Sequence, residues 1–552
     1  MARTRRAGRM ATLLCALLGT ALAVEAPAPA AGAGPGRTAE PVVNTEQGPV
    51  RGRAHGTYDT FEGIPYAAPP TGPLRWRLPR LPARRDGVRD AGAPASRCLQ
   101  TPELGPGTLT GSEDCLYLNV TAPPPAPSGG LRRPGARPVM VWFHGGGFAW
   151  GAGDPYRAEA LAVRGDAVVV TANYRLGIFG LFGHPGLGGA PNFAIADQQA
   201  ALRWVRANIH RFGGDPRNVT VFGESAGALS VCAHLTSPGS AGLFHRAVVQ
   251  SGGCSLSTPP GAVLPSQPRY EPFVPEETTT AAGTAAAAAL GCGRADPAAA
   301  LDCLRALDGA ALATPALMQR FSLVSYGNGM LPVEPRRALQ SGLFHRVPVV
   351  QGANLDEMRL FLRIVLAASP IADEAAYRAR VVRSFGTAAA PAVEAHYPVG
   401  DYPTPALAWA AVVTDASFLC PALRDGRALA RYVPTYAYRF GDRDAPNFTG
   451  LPPLDGFPYG AAHGFELPYL FTMPVPLTGP QRALSDRMIG YWTGFARTGV
   501  PRVAGAPAWP RFATGATVLS LAPGPDGTVP VDARAEHRCA LWDAREAADR
   551  AP

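Results

Sequence analysis

Short apolar runs rich in β-branched residues recur along the chain and alternate with stretches of helical periodicity. The runs lie at residues 139–143, 167–171, 218–222, 246–250, 347–351 and 435–440. Continuous short runs of this kind are typical of strands that are buried on both faces of a sheet. Residues 194–210 and 226–235 instead carry apolar side chains at helical spacing. The alternation predicts an α/β fold with a large, mostly parallel central sheet flanked by helices.

The amino-terminal part has a different pattern. Residues 41–52 and 57–65 read as antiparallel β-structure on an edge, which predicts a small amino-terminal sheet. Proline-rich stretches at 123–138 and 258–275 are expected to be surface loops rather than linkers. Since no internal repeat is apparent, we expect residues 37–552 to form a single domain.

Residues 1–36 have the three-part layout of a secretory signal. Arg3, Arg5, Arg6 and Arg9 precede an apolar run over residues 10–24, and small residues with a Pro/Ala/Gly tract follow. The run is shorter than the about 20 residues that a membrane span requires. We therefore expect a cleaved signal peptide and a secreted chain with no stable membrane anchor.

Composition narrows the possible partners. The chain has 552 residues, of which 47% are hydrophobic, and a formal net charge of +9. Its basic residues are all arginine and are scattered without a long basic run, so no nucleic-acid partner is expected. No spacing typical of zinc ligands occurs, and we expect neither a metal nor a cofactor.

Two glycine-rich segments follow predicted strands and indicate acyl transfer. Residues 223–227 (GESAG) lie between a strand and a helix, where a sharp turn would expose the hydroxyl of Ser225 as a nucleophile. Residues 144–147 (HGGG) follow the strand at 139–143. A loop without side chains can aim backbone N–H groups at a developing oxyanion, so we predict Gly146, Gly147 and Ala226 as the donors.

A serine nucleophile needs a base and an acid that orients it. The best candidate for the base is His463, in a Gly/Ala-flanked loop late in the chain. The expected order in such a fold is serine, acid, histidine. The strand at 347–351 leads into Asp356 and Glu357, and spacing alone does not separate these two acids. Either could instead be an acid near a helix N-terminus, interacting with the helix dipole.

Together, these segments resemble the type-B carboxylesterase/lipase family of cholinesterase-like α/β-hydrolases. The resemblance covers residues 41–542 and implies a bacterial-type secreted carboxylesterase. Its further motifs are FEGIPYA at 61–67, SEDCLYLNV at 112–120 and FGGDP at 212–216. It implies the α/β-hydrolase fold and a carboxylic ester hydrolase active on small-molecule esters, as a monomer or weak homo-oligomer.

The resemblance also implies roles for individual residues. It assigns the catalytic acid to Glu357 and the histidine to His463, and it implies ion pairs Arg75–Glu113 and Arg175–Asp197. It further implies the disulfides Cys98–Cys115, Cys292–Cys303 and Cys420–Cys539. The eight cysteines after Cys15 allow 105 pairings by themselves. Cys232 and Cys254 remain, either free or as an additional pair.

Three functional expectations follow. The first is hydrolysis of carboxylic esters by a Ser-His-Glu triad through an acyl-enzyme, with activity falling below about pH 6–7 as His463 is protonated. The alternatives are a lipase acting on lipid esters and a non-catalytic, cholinesterase-like binding protein. No tryptophan lies between Cys98 and Cys115, where cholinesterases carry the one that stacks on choline, so choline selectivity is not expected.

Overall fold

The computed structural model describes residues 40–101, 108–124, 136–513 and 517–549. The predicted signal peptide lies outside the described residues, and so does part of the predicted loop at 123–138.

The strands of the described residues are β1 Val42–Thr45, β2 Gly48–Arg51, β3 Arg53–Ala54, β4 Asp59–Pro65, β5 Arg89–Asp90, β6 Tyr117–Ala122, β7 Arg137–Phe143, β8 Val168–Ala172, β9 Gly214–Glu224, β10 Arg246–Gln250, β11 Phe273–Pro275, β12 Val324–Tyr326, β13 Val349–Asn354, β14 Thr435–Phe440, β15 Thr517–Leu521 and β16 Pro530–Asp532. The α-helices are α1 Glu159–Gly165, α2 Gly177–Leu181, α3 Phe193–Asn208, α4 Ala226–Thr236, α5 Glu276–Ala289, α6 Pro297–Ala306, α7 Gly309–Leu312, α8 Pro315–Arg320, α9 Pro335–Ser341, α10 Met358–Leu366, α11 Glu374–Phe385, α12 Ala390–His396, α13 Pro405–Thr414, α14 Cys420–Ala430, α15 Gly479–Thr498, α16 Ala533–Glu536 and α17 Cys539–Asp549.

Most strands belong to one large sheet. Its order is β16-β15-β14-β13-β10-β9-β7-β8-β6-β4-β3. The strands from β8 to β15 in that order are parallel to their neighbours, and the outer strands pair antiparallel. The prediction of a large, mostly parallel sheet flanked by helices is therefore confirmed.

The continuous apolar run of β7 is explained by burial on both faces. Val139, Val141 and Phe143 join the apolar core on one side of the sheet. Met140 and Trp142 join a second core on the other side, which includes α15. Because successive strand residues point to opposite faces, a strand covered on both sides needs an apolar residue at every position.

The small amino-terminal sheet is present. β1 and β2 pair antiparallel, and the short strand β5 adds parallel to β2. β4, from the second predicted segment, pairs instead with β6 in the large sheet. Phe61 and Ile64 of β4 are buried in the core, which explains why this segment joins the larger sheet.

Four disulfides close loops in the described structure. They are Cys98–Cys115, Cys232–Cys254, Cys292–Cys303 and Cys420–Cys539. The second joins the two cysteines that the resemblance left without a partner, and it ties α4 to the loop after β10. Four disulfides are typical of proteins that fold in an oxidising compartment.

Two buried or partly buried ion pairs brace the loops beside the sheet. Arg75 Nε lies 2.7 Å from Glu113 Oε2, and the same guanidinium also donates to the carbonyl oxygen of Leu307. Arg175 makes two hydrogen bonds of 2.7 Å to the buried carboxylate of Asp197. These are the two pairs that the resemblance implies.

One helical run is long and apolar enough to cross a membrane by length and composition. It spans Pro405–Ala430, where α13 and α14 are joined by a π-helical turn at Asp415–Leu419. Of its most apolar window, 83% is buried inside the protein, as in the core helix of a globular fold.

Candidate active site

The predicted chemistry lies just beyond the carboxyl ends of neighbouring strands. β7, β9, β10 and β13 are consecutive in the sheet and parallel. Their carboxyl ends therefore meet along one edge, the usual location of functional groups in open α/β sheets. The glycine loop, the serine and the two acids follow β7, β9 and β13, respectively.

Ser225 occupies a strained turn between β9 and α4. Its backbone has φ +57° and ψ −122°, a conformation that residues with a side chain rarely adopt. Its N–H donates to the carbonyl oxygen of Gln250 at 3.0 Å. A Cβ on Gly227 would lie 1.9 Å from the carbonyl oxygen of Phe143, and one on Gly223 would lie 2.5 Å from the carbonyl carbon of Gly227. Both glycines are needed because the backbone packs this closely around the serine.

The loop after β7 lies against this turn. A Cβ built on Gly145 would lie 3.2 Å from Cβ of Ser225. Gly146 and Gly147 have φ of +99° and +57°. A Cβ on Gly146 would come within 2.1 Å of the carbonyl oxygen of Trp150, whereas one on Gly147 would meet no atom within 4 Å. The loop is therefore closely packed at one glycine and open at the next.

The three predicted oxyanion donors are not used inside the fold. The N–H groups of Gly146, Gly147 and Ala226 donate to no acceptor among the described residues. Ala226 is the first residue of α4, whose N-terminal N–H groups have no partner within the helix. These three N–H groups thus have no acceptor among the described residues.

His144 anchors the glycine loop. Its Nδ1 lies 2.8 Å from the carbonyl oxygen of Gly145, and its ring stacks on Tyr174 with centroids 4.3 Å apart. The hydroxyl of Tyr174 donates to the carbonyl oxygen of His144 at 2.6 Å. Burial lowers the pKa of His144 to about 4, so the imidazole is neutral near pH 7 and its contacts are those of a packed side chain.

The structure brings His463 and Glu357 together. His463 Nδ1 lies 2.6 Å from Glu357 Oε2, and both side chains are buried. The other carboxylate oxygen, Oε1, accepts the N–H of Asn354 at 2.7 Å. The backbone N–H of His463 also donates to the carbonyl oxygen of Glu357 at 3.3 Å. The imidazole is thus held in one orientation with its Nδ1 towards the carboxylate.

Asp356 points to a different set of partners. Its Oδ2 accepts the backbone N–H of Ala461 at 3.1 Å, just before the histidine in sequence. The carboxylate also pairs with Arg443 at 3.0 Å and Arg359 at 2.7 Å. The two adjacent acids, which the sequence could not separate, therefore have distinct contacts: Glu357 meets the imidazole ring, and Asp356 meets the backbone of the histidine loop.

The second nitrogen of His463 faces the serine turn. His463 Nε2 lies 3.1 Å from Oε1 of Glu224, the residue bonded to Ser225. Nε2 makes no hydrogen bond to any described residue. The imidazole of His463 therefore lies between Glu357 on one side and Glu224, the residue before Ser225, on the other.

Carboxylates around His463 control its charge. Burial by itself would lower the pKa of His463, but the negative charges of Glu224 and Glu357 outweigh burial and raise it from 6.5 to about 9. Glu466 adds a smaller contribution in the same direction. The imidazolium form is thus stabilised, which favours proton uptake by His463.

Glu466 is a site residue to which the sequence pattern assigned no role. Its Oε2 accepts Asn354 Nδ2 at 2.6 Å, and its Oε1 accepts Gln250 Nε2 at 3.2 Å. Gln250 in turn accepts Trp492 Nε1 at 3.0 Å. Burial raises the pKa of Glu466, and the charge of Glu357 raises it further. The one sequence feature that could have indicated this role is the position of Glu466, three residues after His463 on the same loop.

Two aromatic side chains flank the imidazole. The ring centroids of Phe361 and Phe418 lie 4.9 and 5.2 Å from that of His463. Phe361 is on α10, directly after the acid, and Phe418 is in the π-helical turn. Neither was singled out from the sequence, because Phe418 reaches His463 only through the tertiary fold.

In the described part of the chain, no group of three or more His, Cys, Asp or Glu side chains is placed to hold a metal ion. A hydroxyl, an imidazole–carboxylate pair and backbone N–H groups without acceptors are groups that acyl-transfer reactions use.

Comparisons with known proteins agree with this chemistry. The model of the family described as "Carboxylesterase family" matches residues 39–542 of this chain. The chain is 36% identical to the cocaine esterase of Oryctolagus cuniculus over 510 residues, covering 86% of this chain and 91% of that protein. It is 35% identical to the fumonisin B1 esterase of Sphingopyxis macrogoltabida, covering 85% and 84%, respectively. A solved structure of a thermophilic PNB esterase superposes with a TM-score of 0.72 and 30% identity, covering 91% of this chain and all of that one.

Proposed function

The chain belongs to the carboxylesterase family and is a carboxylic ester hydrolase, and from that premise we propose that it works by a Ser225-His463-Glu357 triad through an acyl-enzyme. The observation that carries the proposal is the pair formed by His463 Nδ1 and Glu357 Oε2 at 2.6 Å. It leaves Nε2 turned towards the segment that contains Ser225.

In the first step, Oγ of Ser225 attacks the ester carbonyl carbon while Nε2 of His463 takes the hydroxyl proton. The carbonyl oxygen becomes an oxyanion, which the N–H groups of Gly146, Gly147 and Ala226 stabilise. Glu357 keeps the imidazole in the correct tautomer and offsets the charge of the imidazolium. Loss of one such oxyanion donor typically costs on the order of 3 kcal/mol of transition-state stabilisation.

The tetrahedral intermediate then collapses. The bond from the carbonyl carbon to the alcohol oxygen breaks, and Nε2 of His463 donates its proton to the leaving alcohol. Water next attacks the acyl-Ser225 ester with Nε2 again accepting a proton, and the carboxylic acid leaves as Oγ recovers its hydrogen. Every step uses only the groups named above.

The substrate class is small, soluble carboxylic esters. The relatives are named for unlike esters, cocaine and fumonisin B1, so one relative's name does not determine the substrate of this chain. The test is the hydrolysis of p-nitrophenyl esters of increasing acyl length by the purified protein. We expect saturable turnover below the solubility limit of each ester. A rate that rises only when substrate forms droplets would instead identify a lipase.

A raised pKa of His463 predicts a shifted pH–rate profile. Because protonated His463 cannot accept the Ser225 proton, kcat/KM should fall as pH decreases through the raised pKa, so the acid limb should lie above 6.5. The sequence alone had placed this limb at about pH 6–7. Glu224→Gln removes a charge that raises the pKa and should move the limb to lower pH. The measurement is kcat/KM on a soluble ester from mildly acidic to alkaline pH.

The control for this profile is Glu277→Gln, which removes an equal charge from the exposed surface of α5. It should leave the limb unchanged. A limb at or below 6.5 in the unmodified enzyme, or one that Glu224→Gln does not move, would contradict the proposed effect of Glu224.

We also propose that the protein is exported. The four disulfides fit an oxidising compartment, and the charged and apolar pattern of residues 1–36 fits a cleaved signal peptide.

A further inference from the structure

An exposed segment near the amino-terminal sheet presents apolar and basic side chains together. Residues 77–88 connect the buried Trp76 to β5 and form neither helix nor strand. Pro79 and Pro82 lack backbone donors and favour an extended chain. The segment therefore lies on the surface as an irregular, extended loop.

Its apolar side chains face solvent. Leu81 is 81% exposed, Leu78 is 58% exposed and Val88 is 46% exposed. Among the large apolar residues that the structure describes, none is more exposed than Leu81. Single exposed leucines are ordinary on protein surfaces. Residues 77–88 thus carry three exposed large apolar side chains within one short segment.

The same segment is strongly basic. Arg77, Arg80 and Arg84 are exposed, and their side chains make no ion pair or hydrogen bond with any residue in the described ranges. Asp86 is the only acidic residue among residues 77–88. The three guanidinium groups are thus free to meet an external anion.

The backbone holds the segment in place. The carbonyl oxygen of Arg80 accepts the N–H of Ala68 at 2.8 Å, and the N–H of Arg85 donates to the carbonyl oxygen of Gln47 at 2.9 Å. At the start of the segment, Trp76 Nε1 donates to the carbonyl oxygen of Ile178 at 2.7 Å. Since the segment is already ordered, little conformational entropy is lost when a partner covers it.

We propose that residues 77–88 dock the protein on an anionic phospholipid surface. Guanidinium groups pair with lipid phosphates, while exposed leucines insert into the boundary between headgroups and acyl chains. An acidic polysaccharide would pair with the arginines but has no acyl-chain boundary into which the adjacent leucines could insert. The combined chemistry of the segment therefore favours a lipid surface, and this docking is independent of the triad.

The test is cosedimentation of the whole mature protein with vesicles. Vesicles that mix phosphatidylglycerol into phosphatidylcholine should bind the protein on the order of a hundredfold more strongly than phosphatidylcholine alone, given three arginines near the surface. Added salt should weaken this binding because it screens the charges.

Two variants separate the contribution of the arginine charges to vesicle binding from the contribution of leucine insertion. Arg77→Gln/Arg80→Gln/Arg84→Gln should reduce binding to the anionic vesicles by about a hundredfold. Leu78→Ser/Leu81→Ser should reduce it by roughly tenfold with the charge unchanged. Both variants should hydrolyse a soluble ester as the unmodified enzyme does, which shows that they fold and that the triad is intact.

Matched controls lie elsewhere on the surface. Arg320→Gln/Arg431→Gln/Arg502→Gln removes the same charge from three exposed arginines, and Leu264→Ser removes another exposed leucine. Both should bind like the unmodified protein. Equal binding to neutral and anionic vesicles would overturn the proposal, as would an equal loss in the control arginine variant. Unchanged binding by the double leucine variant would overturn it as well and would indicate an acidic macromolecule as the partner.

Discussion

Ser225→Ala is expected to lower kcat for ester hydrolysis by about 10⁴- to 10⁶-fold. The substitution removes the oxygen that forms the acyl-enzyme, and no other group can replace it in the mechanism. The fold should persist, because alanine pays the same backbone cost as serine at φ +57°. Initial rates on a soluble ester, together with thermal unfolding, measure the two effects separately.

Ser251 offers a closely matched control. It is also a buried serine with positive φ, at +51°, and it follows the neighbouring strand β10. Its N–H donates to the carbonyl oxygen of Gly352, and it has no role in the proposed chemistry. Ser251→Ala should keep full turnover. A folded Ser225→Ala enzyme that still hydrolyses the ester would remove the nucleophile assignment, and an equal loss in Ser251→Ala would remove its specificity.

Glu357→Gln is expected to lower kcat by on the order of 10⁴-fold, the effect known for triads whose carboxylate becomes an amide. The amide keeps nearly the same shape and can still accept the N–H of Asn354 through one oxygen. It loses the negative charge beside Nδ1 of His463, and its NH₂ group favours the tautomer with the hydrogen on Nε2. That tautomer cannot accept the proton of Ser225.

Asp356→Asn is the control for the charge of the adjacent acid. Asp356 lies next to Glu357 in sequence but accepts the N–H of Ala461, a bond that an asparagine oxygen can keep. We expect a much smaller loss of kcat and an acid limb at the same pH. If Asp356→Asn were the more damaging substitution, Asp356 rather than Glu357 would be the residue that supports the base.

The sequence predicts the central sheet well because burial on both faces leaves a simple pattern. β10 and β14 begin and end where the apolar runs do. β9 begins at Gly214, earlier than the predicted 218, because Gly214 pairs with Arg137 of β7 although its neighbours are polar. The irregular register between Arg137 and Val139 has no counterpart in local hydrophobicity.

Some features of the candidate site could likewise be predicted from the sequence, and others could not. The turn at Ser225 and the loop at Gly146 could be predicted because glycine marks close backbone approach within a short stretch of sequence. The contacts of His463 with Glu224 and Phe418 depend on how distant segments meet, so no local pattern shows them. No local pattern distinguishes Asp356 from Glu357, because the two acids differ in their contacts with distant residues.

The disulfide partner of Cys232 is a second feature that the sequence alone does not predict. Pairing of cysteines depends on distances between segments, and many pairings are compatible with one sequence. The structure joins Cys232 to Cys254, across a sequence separation of 22 residues, because α4 packs beside β10. This bond connects the helix that begins next to Ser225 with the loop that contains Ser251.

Covalent labelling with a fluorophosphonate, followed by mass spectrometry of the intact protein and of its peptides, measures the proposed convergence most directly. Such reagents modify a serine hydroxyl only where a base activates it and donors hold the phosphoryl oxygen. We predict one adduct, on Ser225, which forms in step with loss of esterase activity and much more slowly in Glu357→Gln. An adduct on a different residue, or continued hydrolysis by fully labelled enzyme, would contradict the triad.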